Sequence, residues 1–419
     1  MRDILHEIFE SMKRNRLRTT LTGLSVSWGI FILVVLLGAG NGLKNGVMSN
    51  FGERAKNMIT LRTNTTSMPY KGLKTGRSID FTDQQTDLLK NRVDETEKIT
   101  PVVSSSQKMT YENNFGEWSL MGVMPEYHDI FGIQLSNESR FVNQLDLKDE
   151  KKVIVIDKKI AKTLFKEKSP IGENIKVGEL IFKVIGVNTK AEQWGNTSAY
   201  IPYTTAQTIF NSSKKFGRIS FTVKGLETEK ENNRFNDRLR NMMGHVLDFD
   251  PKDYQAMWVN NSQKEYIQSM KIFGAINIFV GVIGILTLIA GIVGVSNIML
   301  VTVKERTREI GIRKAIGAPS WSILKSIVLE SIIITGIFGY IGMITGIGLT
   351  ELVNFFMEQS TRATADVDAP QMSVFKNPTV GLGLVLLATT ILIIAGVIAG
   401  YLPARKAVKI KPIEAMRQE

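Results

Sequence analysis

Few residues in this sequence have the type and spacing needed for bond-making chemistry. There are three histidines and no cysteine. His6 precedes the first apolar run, and His128 and His245 stand apart without HExxH spacing, so neither a zinc site nor a cysteine nucleophile can be assembled. Asp and Glu residues are scattered as on a solvated surface. No GxxxxGK[ST] occurs, so no backbone cradle for nucleotide phosphates is expected in these 419 residues. What remains is the chemistry of charge pairing. Residues 304–319 read "KERTREIGIRKAIGAP" and follow a run, 272–303, without a single charged side chain. Glu309 and Arg313 are spaced i,i+4 with the acid N-terminal, and Glu305 can meet Arg308 at i,i+3. Such pairs contribute only about 0.2–0.5 kcal/mol each to a helix, too little to explain the density of charge. A short helix that docks a partner explains it better, with Ile310, Ile312 and Ile316 as exposed apolar contacts and Gly317 as the stop before a new helix at Pro319. The competing reading is a solvated hairpin.

The elements that must position this segment are membrane spans. Residues 19–43, 272–303, 331–350 and 377–404 carry no charge, and each is long enough to cross a hydrocarbon core, which takes about 20 helical residues. The first run exceeds the apolar stretch of a cleavable signal and ends in no small-x-small site, so it reads as a retained anchor. Lys and Arg crowd three flanks: Lys13, Arg14, Arg16 and Arg18; Lys304 to Lys325; and Arg405, Lys406, Lys409 and Lys411. The loop before the fourth span offers only Arg362 and Lys376. By the positive-inside rule both termini and the 304–326 loop are cytoplasmic, and everything between the first two spans lies outside. These clusters account for much of the net charge of +12, so anionic headgroups, not nucleic acid, are the expected counterpart.

Small residues mark helix-packing faces. Gly274, Gly281, Gly284 and Gly291 recur along the second span, Gly342 and Gly346 along the third, and Gly396 and Gly400 along the fourth. Such stripes let backbones approach closely in lipid. Glu330, at the start of the third span, is expected at the interface, partnered by Lys325 or Arg405, with a part in transmitted movement as the functional alternative.

The external region mixes patterns. "NMITLRTN", "KKVIVID", "LIFKVIGV", "SAYIPY" and "RISFTVKG" read as strands; "FTDQQTDLLKNRV", "KKIAKTLFK" and "ETEKENNRFNDRLRNMM" read as helices. Helical stripes at both roots, Leu43 to Ala55 and Val259 to Phe273, suggest a paired stalk. The fold class is therefore a membrane α-helical protein of four transmembrane helices, with a large extracytoplasmic α+β domain inserted between helices 1 and 2. The expected divisions are a cytoplasmic amphipathic helix (1–18), the first span (19–43, its stalk reaching about 56), an outer subdomain (57–125 plus 216–255) and an insert (126–215). They continue with stalk and second span (256–303), coupling loop (304–326), third span (327–352), external loop (353–376), fourth span (377–404) and tail (405–419).

In order along the chain, "SMKRNRLRTTLTGLSVSWGI", "GVMPEYHDIFGIQLSNESRF" with "KVIVIDKKIAKTLFKEKSPIGENIKV", "VSNIMLVTVKERTREIGIRKAIGAPSWSILKSIVLES" and "AGYLPARKAVKIKPIEAMR" resemble the MacB/FtsX-like permeases of ABC transporters, the mechanotransmission group. The resemblance covers the whole chain. It implies a bacterial inner-membrane permease without catalytic residues, metal or cofactor of its own. ATP and Mg would be bound by a separate cytoplasmic ATPase dimer docked at Glu305, Arg306, Arg308, Glu309, Ile310, Arg313, Lys314 and Gly317. It also implies a second permease copy in a homodimer or heterodimer, and points to a periplasmic adaptor and outer-membrane channel as further partners. Efflux of a periplasmic peptide, antibiotic or lipid-like substrate is the leading expectation. Lipoprotein release or regulation of a cell-wall enzyme by the same mechanics is the alternative, and a membrane-bound sensor the outsider.

Overall fold

The computed structural model describes residues 16–51, 54–189, 197–211, 213–363, 375–378 and 382–408. The expected N-terminal helix before Arg16, most of the 353–376 loop beyond Ala363, and the tail after Val408 lie outside the described residues. The described residues divide into two compact units, one of 48–271 and the other of the remainder.

In the external unit, β1 (Met58–Thr63), α2 (Asp83–Arg92), β2 (Thr96–Tyr111) and β3 (Asn114–Val123) come first, after the helix α1 (Arg16–Phe51) that leads in. The short helices α3 (Tyr127–Phe131) and α4 (Gln144–Lys148) follow, then β4 (Val153–Asp157), α5 (Lys158–Phe165), β5 (Asn174–Val177) and β6 (Leu180–Asn188). β7 (Ser198–Pro202), α6 (Tyr203–Phe210), β8 (Arg218–Val223), α7 (Glu229–Val246) and β9 (Met257–Asn261) complete it. Local chemistry sets the helix starts. Thr228 accepts from the Glu231 amide at 3.2 Å while Glu231 accepts from the Thr228 amide at 2.9 Å, a capping box that opens α7. In α5, Ile160 and Leu164 fall four apart and are both fully buried.

The strand pairings close on themselves. β3 pairs with β7, β7 with β4, β4 with β6, β6 with β5, β5 with β2, and β2 again with β3. This ring has no free edge. The long β2 leaves it at its N-terminal half, where residues 96–102 pair with β8, and β8, β1 and β9 extend an open sheet. The hairpin of β2 and β3 thus belongs to the same ring as β4 to β7, and the expected boundary at residue 125 gives way to one inside β2. Every residue of β4 and of β7 is buried, as in strands covered on both faces. Phe81, Phe182, Phe221 and Met109 are among the side chains wholly inside the larger of two cores, and full burial of each such side chain contributes about 1.5–3 kcal/mol. A smaller aromatic core gathers Tyr127, Tyr200 and Phe141.

Buried carboxylates tie the loops down. Asp146 is fully buried and bound by Arg140, its Oδ1 accepting from Nη2 at 3.1 Å. Burial works to raise its pKa, but the bonds from Arg140 and the Asn143 amide prevail and hold it below the ordinary value. Asp253 likewise sits below the usual carboxylate range: burial opposes, and bonds from Ser67, Met68 and Ala256 outweigh it. Tyr203 donates to Asp83 at 2.6 Å, and burial with that carboxylate pushes the phenol well above its normal pKa.

The stalk helix was expected from residue 256, yet residues 257–261 form β9 along β1. The following helix, α8 (Ser262–Glu305), begins only where Asn261 Oδ1 accepts from the Lys264 amide at 3.0 Å. At this root Phe51 meets Tyr266 edge-on, with ring centroids 5.8 Å apart.

Among the described residues four helices are long and apolar enough to cross a membrane, in segments Gly23–Ser49, Ser262–Glu305, Ser320–Gln359 and Ala388–Val408. They lie within α1, α8, α10 (Ser320–Ala363) and α11 (Leu382–Val408). Between α8 and α10 stands the short α9 (Thr307–Ala315). Their shared core includes Val26, Ile30, Val295, Met299, Ile327 and Leu392.

Candidate functional site

α8 breaks at Arg306, whose backbone (φ −94°, ψ 12°) leaves the helical region before α9 resumes. α9 ends in a Schellman turn: the Gly317 amide donates to Lys314 O at 3.1 Å and the Ala318 amide to Arg313 O at 2.9 Å. Gly317 takes φ +98°, and a Cβ there would touch nothing, so glycine is required by the backbone conformation rather than by space.

The eight candidate docking residues do not share one face. Glu305, Arg308, Glu309, Arg313 and Gly317 are exposed. Ile310 is not an exposed contact: it is 9% accessible and sits in the span core with Val303, Ile323 and Ile327. Ile312 (43%) and Ile316 (82%) do face outward, and Trp321 (70%), which the sequence reading passed over, joins them in being exposed. Arg306 and Lys314 turn toward the spans. Arg306 Nη1 lies 3.4 Å from Glu330 Oε2, and Lys314 Nζ donates to Val408 O at 2.6 Å. Spacing explains this, since 306, 310 and 314 are four apart and fall on one side of a helix. Glu330 is only 4% exposed and its partner is Arg306, not Lys325 or Arg405. A carboxylate this deep needs a cation nearby, and the break in α8 delivers one. A shallow cleft beside the pair is lined by Thr302, Glu309, Arg313 and Ser326.

The glycine faces also divide. A Cβ on Gly342 would run into the carbonyl oxygen of Ser27, and one on Gly346 would sit 3.0 Å from Val34, so α10 lies directly on α1. Gly284 and Gly291 meet Leu33 and Val26 of the same helix. On α11, a Cβ on Gly396 or Gly400 would lie 3.0 Å from the Cα of Ile332 or Val328. A Cβ on Gly274 or Gly281 would meet nothing within 4 Å, so their stripe packs against no helix among the described residues. Gly339 on the third span meets Leu392, and Gly23 against Phe338 and Gly38 against Thr350 are close approaches outside the expected set.

Four apolar helices, a large α+β unit between the first two, and a charged helix between the second and third define a membrane permease with an extracytoplasmic domain. Residues 19–241 match the MacB-like periplasmic core domain and residues 281–412 the FtsX-like permease C-terminal domain. The chain belongs to the MacB/FtsX-like permease family of ABC transporters. It is 29% identical over 420 residues to the macrolide export ATP-binding/permease protein MacB of Neisseria meningitidis, covering 98% of this chain and 60% of that protein. The protein of the same name from Bdellovibrio bacteriovorus is 28% identical, with 99% and 61% covered. The chain thus spans about three fifths of the length of these relatives. Among solved structures, the periplasmic region of MacB from Actinobacillus actinomycetemcomitans aligns with a TM-score of 0.43 and 18% identity, covering 54% of this chain and 97% of that one. The extracellular domain of the transporter YknZ from Gram-positive bacteria aligns at 0.41 and 20%, covering 49% and 100%.

Proposed function

We propose that this permease converts ATP hydrolysis by a separate cytoplasmic ATPase dimer, which binds the ATP and Mg, into movement of the extracytoplasmic domain that expels a peptide, antibiotic or lipid-like substrate. The observation that carries the reading is the charged segment from α9 into the start of α10, which shows Ile312, Ile316 and Trp321 outward although a soluble hairpin would gain nothing from exposing them. The macrolide-export name of the relatives supports efflux as the work done. The positive-inside pattern supports a cytoplasmic position for α9 and both termini in the inner membrane. A second permease copy completes the assembly, with adaptor and outer-membrane channel as further partners.

Exchanging Glu309 and Arg313 tests the docking. The exchange keeps an acid and a base at i,i+4 and alters the helix by only a few tenths of a kcal/mol, about the size of one such pair, while it presents the wrong signs to a partner. The exchanged protein inserts and folds but loses its ATPase on purification from native membranes. Undiminished ATPase capture together with undiminished export would move docking away from these two residues.

A further inference from the structure

Arg306 and Lys314 bracket α9, and each is bonded to a different span. Arg306 stands at the break between α8 and α9 and reaches Glu330 on α10; Lys314, in the last turn of α9, reaches the carbonyl of Val408 at the end of α11. Glu330 is only 4% exposed, and a buried carboxylate without a counter-charge is costly. Lys314 Nζ donates to the Val408 carbonyl at 2.6 Å, a short charge-assisted bond. Between the two, Ile310 seals the inner face in the span core. The stripe of residues 306, 310 and 314 is thereby used up in holding α9, and the outward stripe is left to a partner.

We propose that Arg306–Glu330 and Lys314–Val408 form a two-point clamp through which α9 drives α10 and α11, so that a push received at α9 does not travel along α8 alone. In this assignment Arg306, Lys314 and Glu330 are positioning residues that do not touch the ATPase. The proposal rests on the reading of α9 as the docking helix, but it can fail separately.

The absence of cysteine lets spin labels be placed at will. Labels at A315C and K325C report α9 against α10; labels at A315C and K406C report α9 against α11. In the full chain in nanodiscs both distance distributions are narrow. E330Q broadens the first, K314M broadens the second, and the exchange R306E with E330R narrows the first again; K314R, which retains the donor, leaves the second narrow. Equal widths in wild type, E330Q and K314M overturn the clamp. Complexes purified from native membranes then separate holding from docking. E330Q and K314M bring down the same ATP-hydrolysing subunit as wild type, yet lose the ATP-dependent distance change between labels at I272C on α8 and E358C on α10. Loss of the ATPase itself in these variants overturns the assignment, because the residues would then be docking contacts. If even wild type captures no ATPase, the docking reading fails, and the label widths in the chain alone still decide the clamp. A variant that aggregates is judged through R306E with E330R or K314R, which keep the same partners charged.

Discussion

The external unit and the membrane unit are built on opposite principles. The first buries large side chains, Phe81, Phe182 and Phe221 among them, and closes a ring of strands so that no edge is left on it. Its driving force is removal of apolar surface from water. The second cannot use that force, because lipid is as apolar as its side chains. It relies on close approach instead: Gly342 against the backbone of Ser27, Gly400 against Ser331 and Val328. Large residues therefore hold one unit together, while in the other the smallest residues do so. Charge is handled differently too. Asp146 and Asp253 accept bonds from backbone amides, and Glu330 is reached by a guanidinium that a helix break delivers.

The largest effect expected from breaking this comparison is at Gly342. Leucine there must displace the α1 backbone, which has no lower-energy place to go, and we expect a loss of about 3 kcal/mol or more. Gly281→Leu, pointing into open space in this chain, leaves the fold of one copy unchanged. Thermal unfolding of the purified chains in detergent, followed through the spans, compares the two. Equal midpoints would mean that the glycine contacts are incidental to stability.

An intermediate effect belongs to the external unit. Asp146→Ala leaves Arg140 and the Asn143 amide without their carboxylate, a loss of about 2–3 kcal/mol on the scale of hydrogen bonds to charged groups. The sign of the pH dependence follows from the depressed folded pKa of Asp146. The unfolded chain takes up its proton first as pH falls, so the contribution is fully present above the ordinary carboxylate pKa of about 3.9 and is lost as pH drops through the folded value. Hydrogen exchange of 144–157 amides between pH 7 and pH 3 should show that steep acid loss in wild type and a shallower one in Asp146→Ala. Parallel profiles would assign the acid sensitivity to Asp253 and its neighbours.

Much of this architecture is legible in the sequence wherever the signal is local. The four spans announce themselves by length, α7 by Thr228 and Glu231, and β4 by its Val-Ile-Val-Ile run. What stays hidden is long-range. β2 carries Ser104, Ser105 and Ser106 in mid-strand, so it offers no hydrophobic alternation, and its place in both the ring and the open sheet depends on partners as far away as β5 and β8. β9 resembles the start of a helix until β1 claims it. The spacing of Arg306, Ile310 and Lys314 encodes the inner face, but only the buried acid on α10 and the Val408 carbonyl on α11 give that spacing a meaning.

The smallest effect sharpens the contrast from the polar side. In the external unit the buried carboxylates each have several donors, but in the membrane unit Thr335 Oγ1 is buried with no hydrogen-bond partner among the described residues, beside a small cavity bordered by Thr287, Gly291 and Ala399. A hydroxyl in that position contributes volume without a bond, and its desolvation is uncompensated. Removing it should therefore differ in sign from removing Asp146. Thr335→Val keeps the shape and deletes the polar atom, so the spans should be unchanged or stabilised by up to about 1 kcal/mol. Unfolding of the wild-type and variant chains in the same detergent measures the difference. A loss of stability instead would show that the hydroxyl is bonded, with a water in the cavity bridging Thr335 and Thr287 as the simplest partner, since a buried water needs at least two polar neighbours. Thr287→Val would then produce a matching loss, and the double variant would lose little more than either single one, because both would delete the same bridge.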